Sequence, residues 1–483
     1  MKDKVYITNI GIALMFGIGL LPPLGPVTPV GMQVAGVFLG LLYLWSTVEI
    51  IWPSILGVIA LGMTKYTSIP TVLKDGMGNS VIWQLVMIMI LAQALTDSGV
   101  GEHLARWMIT RNFVKGRPML FTMVFFLSFF LPAMCLGSLP VTLLGWSIIR
   151  NISDEAGYRP GERYRSLMEV GMFILAAAGS GCLPFRGWRF ALTEAYNNAA
   201  GVDISIMLYI GITFIIGIIF LVTYVLFMKF VFRADFSKLA LIDTELLKNR
   251  NQERLNQKQK MCAAGFIGVI VFVVVSSLVP SGTAAGIWMN QVGTAGSFSI
   301  AVVLLCMVRI QGEPVIDFKQ TARVGIRWET LLICAVAIPA AAALTDESTG
   351  IPVMLTTVFG HLFNGHGAVF FIACTAIAIL TLTNIGSNTG MGLLLIPIVL
   401  PFVKPLHVKP EIVGIAIVFL SNLAFMQPGA SATAGLLFAN RNITTREIYL
   451  YGGCSMMLLM LISTAVLVIY NYWCPLNLGA ICT

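Results

Sequence analysis

Ala94-Leu95-Thr96-Asp97 recurs as Ala343-Leu344-Thr345-Asp346, and Gly137-Ser138 recurs as Gly386-Ser387; positions 97 and 346, like 138 and 387, lie 249 apart. The same offset sets Gly101 opposite Gly350, and Gly179-Ser180-Gly181 opposite Pro428-Gly429-Ala430. A single four-residue match is within reach of chance, but equal spacing across several landmarks marks an internal repeat. Each copy holds a long apolar stretch, 118–149 or 366–403. Each stretch is broken near its middle by small and polar residues, Cys135-Leu136-Gly137-Ser138-Leu139-Pro140 in one and Thr383-Asn384-Ile385-Gly386-Ser387-Asn388-Thr389 in the other.

The solvent for such a chain follows from composition. Of 483 residues, 57% are hydrophobic and 11% charged, more apolar surface than a soluble core of this length buries. Helices rising about 1.5 Å per residue need roughly 20 residues to cross the hydrocarbon core. Eleven stretches fit or approach that length: 6–24, 28–46, 49–64, 80–96, 166–182, 204–230, 261–280, 293–309, 328–344, 411–427 and 446–472. The 30 Lys and Arg exceed the 22 Asp and Glu, but they gather at the ends of these segments, as membrane topology requires, and are not read as a nucleic-acid surface. Lys2 and Lys4 precede an apolar run with no Ala-x-Ala cleavage site, so this run is expected to be the first span. Nine scattered Cys form no metal-binding pattern; Cys474 and Cys482 are close enough in sequence to pair outside the cell or to remain free.

Charge then orients the breaks. Arg106, Arg111, Lys115 and Arg117 precede 118–149, and Arg150, Arg159, Arg163 and Arg165 follow it, so both ends of this stretch are expected on the cytoplasmic side. A chain that enters and leaves on one side is a re-entrant hairpin, tolerated where protein or water surrounds its tip. The segment 231–260, with seven Lys or Arg, reads as a cytoplasmic linker between two halves. With a cytoplasmic N-terminus, the second hairpin, 366–403, enters from the opposite face. The expected architecture is an all-α polytopic membrane protein: eleven transmembrane helices and two opposed re-entrant hairpins in an inverted-topology repeat. Its parts are N-terminal scaffold helices 1–79, a first repeat 80–230, the linker 231–260, scaffold helices 261–325 and a second repeat 326–483.

Inverted repeats supply two nearly equivalent conformations, one open to each side, which suits a carrier better than a channel. A membrane enzyme is not expected, because the four His (103, 361, 366 and 407) sit near segment ends and form no cluster. Broken helices expose backbone N–H groups that attract anions and carbonyls that coordinate Na⁺. Ser387, Asn388 and Thr389 add hydroxyl and amide groups of the kind that serves both.

On Ser387-Asn388-Thr389 followed by Leu393-Leu394-Leu395-Ile396-Pro397, on Leu423-Ala424-Phe425-Met426-Gln427-Pro428, and on the order of spans and hairpins, the chain resembles the divalent anion:sodium symporter family over most of its length. The resemblance implies a homodimeric secondary transporter in which a transport domain moves as an elevator against a scaffold. It further implies Na⁺ as coupling ion and a di- or tricarboxylate or sulfate as cargo. It places Na⁺ at Thr383, Gly386 and Asn388 with a carbonyl of Gly429 or Ala430, and substrate at Asn388 and Thr389. Ser138 at the first tip, Ser431 in the second break and Arg186 complete the candidate substrate contacts. No cofactor is expected; the expected location is a bacterial cytoplasmic membrane.

The first half departs from the family pattern. Ser138-Leu139-Pro140 stands where the second tip has Ser387-Asn388-Thr389, and the family's Thr-Pro-Pro-Asn pattern is absent after both breaks. Arg186 and Arg189 follow the first break in an otherwise neutral region. Three roles stay open for such an arginine: it replaces a lost Na⁺, it clasps a substrate carboxylate through paired hydrogen bonds, or it snorkels to water. Exchange without Na⁺, H⁺ coupling and an anion channel are the alternatives to Na⁺ symport. Asp97 and Asp346, at span ends, read as caps rather than proton relays.

Overall fold

Apolar runs in lipid must pair their backbone groups within the chain, and they do so as helices. The computed structural model describes residues 2–101, 103, 116–185, 188–241, 255–280, 282–363, 365–386 and 388–473. Arg186, Ser387, Cys474 and Cys482 therefore lie outside the described residues, as do Arg106, Arg111 and Lys115.

The first half runs α1 (Lys2–Gly17), α2 (Pro29–Thr47), α3 (Ile51–Gly62), α4 (Ile69–Asp75), α5 (Ser80–Ser98), α6 (Pro118–Leu136), α7 (Ser138–Glu155), α8 (Arg163–Gly181), α9 (Trp188–Ala200) and α10 (Ile206–Phe230). The second runs α11 (Gln257–Leu278), α12 (Ala284–Met307), α13 (Phe318–Gly325), α14 (Trp328–Thr345), α15 (Ile351–Phe363), α16 (Ala368–Ile385), α17 (Asn388–Val403), α18 (Pro410–Leu420) and α19 (Ala432–Ala439). It ends in α20 (Thr445–Trp473), which holds a π-helical segment at Ile448–Gly452. Helix starts recur near the sequence offset: Ile69 and Phe318 are 249 apart, Ser80 and Trp328 are 248 apart, and Pro118 and Ala368, like Ser138 and Asn388, are 250 apart. The repeat read from a few residues thus reaches whole elements, including the short pair α4 and α13.

Nine helices among the described residues are long and apolar enough to cross a membrane. Seven are expected spans and two, α6 and α16, are first legs of the interrupted stretches. The remaining expected spans are shorter or more polar. The expected span 411–427 stops as helix at Leu420, because Ser421, Asn422, Pro428 and Gly429 favour a broken chain. The span expected at 293–309 begins at Ala284 and kinks at Gly293 (φ 59°). Helix α9 was not expected; Arg189, Thr193, Glu194 and Asn197 give it no apolar run.

Both interrupted stretches are helical hairpins, and their tips differ physically. Gly137 closes α6 and opens α7 at φ 91°, ψ 168°, a region essentially reserved for glycine. Gly386 is extended at φ −136°, open to any residue by backbone alone, but a Cβ there would strike the Met391 side chain and come within 3.1 Å of Ser46 Oγ. One tip needs glycine for its backbone, the other for space.

The centre of the fold is α8, where every residue from Tyr164 to Gly181 is buried, together with α18, buried from Ile412 to Leu420. Small residues allow this: Gly179 lies against the Phe130 carbonyl and Ala133 of α6, Gly145 of α7 against Met172, and Gly171 against Tyr224 of α10. The buried charge in α8 is compensated. Arg165 donates to Asp154 at 2.6 Å and lies 3.7 Å from Glu169, while Asn440 donates to Glu169 at 2.5 Å and accepts from Arg150 at 3.5 Å. This network ties α7, α8 and the end of α19 together.

At the two ends of the molecule, loops are pinned by polar contacts. Lys238 pairs with Glu162 at 2.8 Å and holds its carboxyl below the usual range, and Tyr158 donates to Asp235 O at 2.7 Å, so the linker meets the cation-rich 150–165 region as one surface. Thr28 donates to the Ser348 and Thr349 carbonyls, and Tyr66 donates to Asp346 at 3.0 Å. Asp346 accepts from Ser348 N at 2.8 Å, the turn-capping role expected of it; Asp97 instead accepts from Gln93, one helical turn back.

Two substitutions test this account by thermal unfolding in detergent. Glu169→Ala, which leaves Arg165 and Asn440 facing an empty buried site, is expected to cost about 3–5 kcal/mol. Gly137→Ala is expected to cost about 1–3 kcal/mol through backbone strain alone; no loss would mean that the tip relaxes to another conformation.

Candidate functional site

A helix that stops in mid-molecule leaves its last carbonyls and the next helix's first N–H groups without intrahelical partners. Two such stops occur here, after Gly181 in α8 and after Leu420 in α18, and side chains from elsewhere close both. In the second break, Asn384, on the last turn of α16, accepts from Phe425 N at 2.9 Å and Met426 N at 2.7 Å and donates to Leu423 O at 3.4 Å. Ser431 donates to Ala424 O at 2.8 Å, sits 3.0 Å from Thr433 Oγ1 and accepts from Ala434 N at 3.0 Å, capping α19. Hairpin tip and break are therefore one unit.

In the first break, Tyr209 donates to Gly181 O at 2.9 Å, Thr213 to Cys182 O at 3.5 Å and Arg189 to Leu183 O at 3.4 Å. The two breaks meet through Asn422. Its Oδ1 accepts from Arg189 at 2.9 Å, and its amide nitrogen donates to Ala177 O at 2.5 Å and Ser180 Oγ at 3.0 Å. A Cβ on Gly181 would come within 3.3 Å of that nitrogen, so glycine lets the strands of the two breaks approach.

The residues singled out in the sequence fall around this junction unevenly. Thr383 is fully buried, with its hydroxyl donating to Ile379 O at 2.9 Å, which leaves its lone pairs available. Thr389 is buried in the first turn of α17, and Gly386 lies between them. Asn388, the first residue of α17, carries an enclosed Oδ1 that has no hydrogen-bond partner. Ala430 is buried at the end of the second break and Gly429 exposed beside it. Ser138 opens α7, half-buried, and no described hydrogen bond joins it to either break. Arg186 lies outside the described residues, whereas Arg189, its neighbour in the sequence reading, sits at the junction, 6% exposed.

Asn384 and Asn422 went unassigned in the sequence. The signal was present, since an amide inside or ending an apolar helix demands partners, but their positions in the other repeat hold Cys135 and Phe173, so the offset did not single them out. Asn384→Ala is expected to orphan two buried N–H groups and lower stability by about 2 kcal/mol or more, read as a lower melting temperature; an unchanged melting temperature would mean the break is held by other groups.

Comparison with known proteins adds identity to this geometry. Residues 40–391 match the family CitMHS, described as citrate transporter. Sodium/sulfate cotransporter 1 of Chlamydomonas reinhardtii is 28% identical over 154 residues, 31% of this chain and 17% of that protein, so the matched stretch spans less than a fifth of the relative. Two solved transporters share the fold. Alcanivorax borkumensis YdaH aligns at a TM-score of 0.56 with 13% identity, over 85% of this chain and 88% of its own. Neisseria gonorrhoeae MtrF, described within a class of antimetabolite efflux pumps, aligns at 0.62 with 14% identity, over 99% and 96%. Such low identities speak for architecture and not for cargo. With most of its length covered by one family match, from within α2 to the start of α17, the chain belongs to the CitMHS citrate transporter family and is a membrane-embedded secondary transporter, not an enzyme.

Proposed function

We propose that the protein carries a small di- or tricarboxylate across a bacterial cytoplasmic membrane, coupled to Na⁺, by elevator-type alternating access within a homodimer. In this reading the N-terminus is cytoplasmic and the hairpins α6–α7 and α16–α17 enter from opposite faces. They ride with the broken helices α8–α9 and α18–α19 against the helices 1–79 and 261–325. The observation that carries the reading is Asn388 Oδ1, an enclosed oxygen without a partner at the second tip. A buried amide oxygen left unpaired costs about 1–3 kcal/mol, and a bound cation removes that cost. Thr383, Gly386 and Asn388, with a carbonyl of Gly429 or Ala430, make up a neutral, hard-oxygen set of the kind that suits an alkali cation. Asn388, Thr389, Ser431 and Ser138 are assigned to the anion, together with Arg186, which lies outside the described residues and is assigned from the sequence alone. The family's description and the matched stretch of a sodium/sulfate cotransporter support both anion and Na⁺.

Uptake of radiolabelled citrate and succinate into proteoliposomes, with Na⁺, K⁺ or a pH gradient as the only variable, tests this. Saturable, Na⁺-dependent uptake is expected. Asn388→Ala is expected to raise the Na⁺ needed for half-maximal uptake by about tenfold, the equivalent of about 1.4 kcal/mol of lost ligation. Uptake indifferent to Na⁺ but dependent on an anion inside the vesicle would replace symport by exchange.

A further inference from the structure

We propose that Arg189 is a tethered cation: its guanidinium serves the first half of the carrier as bound Na⁺ serves the second, so that the protein binds one coupling cation fewer than two equivalent halves would. The inference rests on the reading of the second tip as a Na⁺ site.

Four observations carry it. First, the repeat offset removes the side-chain oxygens of the second half's cation-binding set: Met134 answers Thr383 and Leu139 answers Asn388, while Gly137, Ser180 and Gly181 answer Gly386, Gly429 and Ala430. The oxygen-bearing side chains are gone. Second, of the backbone carbonyls that remain at the offset positions, those of Gly137, Ser180 and Gly181, the last already accepts from Tyr209, and Asn422 donates to Ser180 Oγ.

Third, Arg189 is more than nine-tenths buried, yet among the described residues no carboxylate lies within 4.0 Å of it; its guanidinium meets the neutral oxygens of Leu183 and Asn422, one from each break, and lies 5.6 Å from the centre of the Trp188 ring. A buried charge held by neutral groups alone is costly unless its charge is used, and neutral carbonyl and amide oxygens are the ligands that broken helices offer a coupling ion. Fourth, the arrangement is one-sided: Phe438 answers Arg189 in the second repeat, where Asn388 Oδ1 instead stands unpaired. A fixed charge at the junction supplies the electrostatic attraction for an anion at all times, whereas the metal supplies it only when bound.

The test compares the native protein with Arg189→Lys and Arg189→Gln, purified and reconstituted, by Na⁺ activation of citrate uptake and by the shift in melting temperature on adding Na⁺. The native protein is expected to respond hyperbolically to Na⁺, as one site does. Arg189→Lys should keep that shape. Arg189→Gln should lose uptake and regain it with added guanidinium, or become sigmoidal in Na⁺ as a second ion enters. A sigmoidal native response, or an Arg189→Gln protein with native uptake and unchanged Na⁺ response, overturns the inference. If Arg189→Gln does not fold, the native curve and Arg189→Lys decide: hyperbolic curves from both support the inference, and a sigmoidal curve from either overturns it. A native protein indifferent to Na⁺ in both measurements refutes the sodium reading of the second tip. The tethered cation is then judged by guanidinium alone, with restored uptake in Arg189→Gln supporting it and native uptake without guanidinium overturning it.

Discussion

An interrupted helix inside a membrane is stable only if something other than water satisfies the interrupted backbone, and this molecule is organised around meeting that demand twice. Asn384 reaches from a hairpin to receive the N–H groups of Phe425 and Met426, and Asn422 reaches from that break to the last turn of α8. These amides make the hairpin tip, the second break and the first break mechanically continuous. Separating one element from the others would leave polar groups without partners in an apolar surrounding.

The two halves share a plan and differ in how they execute it. Helix starts recur close to one spacing, hairpin follows hairpin, and a broken helix follows each. Yet the first break is closed by Tyr209, Thr213 and Arg189 acting on carbonyls alone, while in the second Asn384 and Ser431 take both N–H groups and carbonyls, within 423–426 and at the start of α19. Among the described residues the second half retains an enclosed amide oxygen without a hydrogen-bond partner, Asn388 Oδ1.

Much of this was legible in the chain itself. Apolar length gave the long helices, and the matching tetrapeptides at 94–97 and 343–346 gave the repeat, because both signals are local or periodic. The hairpins were visible because Gly137 and Gly386 interrupt otherwise continuous apolar runs. Hydropathy failed where the protein itself, rather than lipid, is the surroundings. Helix α9 is polar along much of its sequence and still packs among other helices, and 421–427 reads as the end of an apolar run although it is turns and irregular chain. The described partners of Asn384 and Asn422 lie up to 72 and 245 residues away, distances at which sequence pattern carries no information.

The most deeply buried helix, α8, is also among the least able to enter a membrane unaided. It carries Arg163, Arg165 and Glu169, and a charged residue near a helix centre opposes insertion by about 2.5–3.5 kcal/mol. Its salt-bridge partner Asp154 lies in the preceding helix, but Asn440 is synthesised 271 residues after Glu169. The polar contacts of α8 are therefore drawn from both halves of the chain, Asp154 just before it and Asn440 near the end of the second repeat, so no segment of the first half alone completes its surroundings.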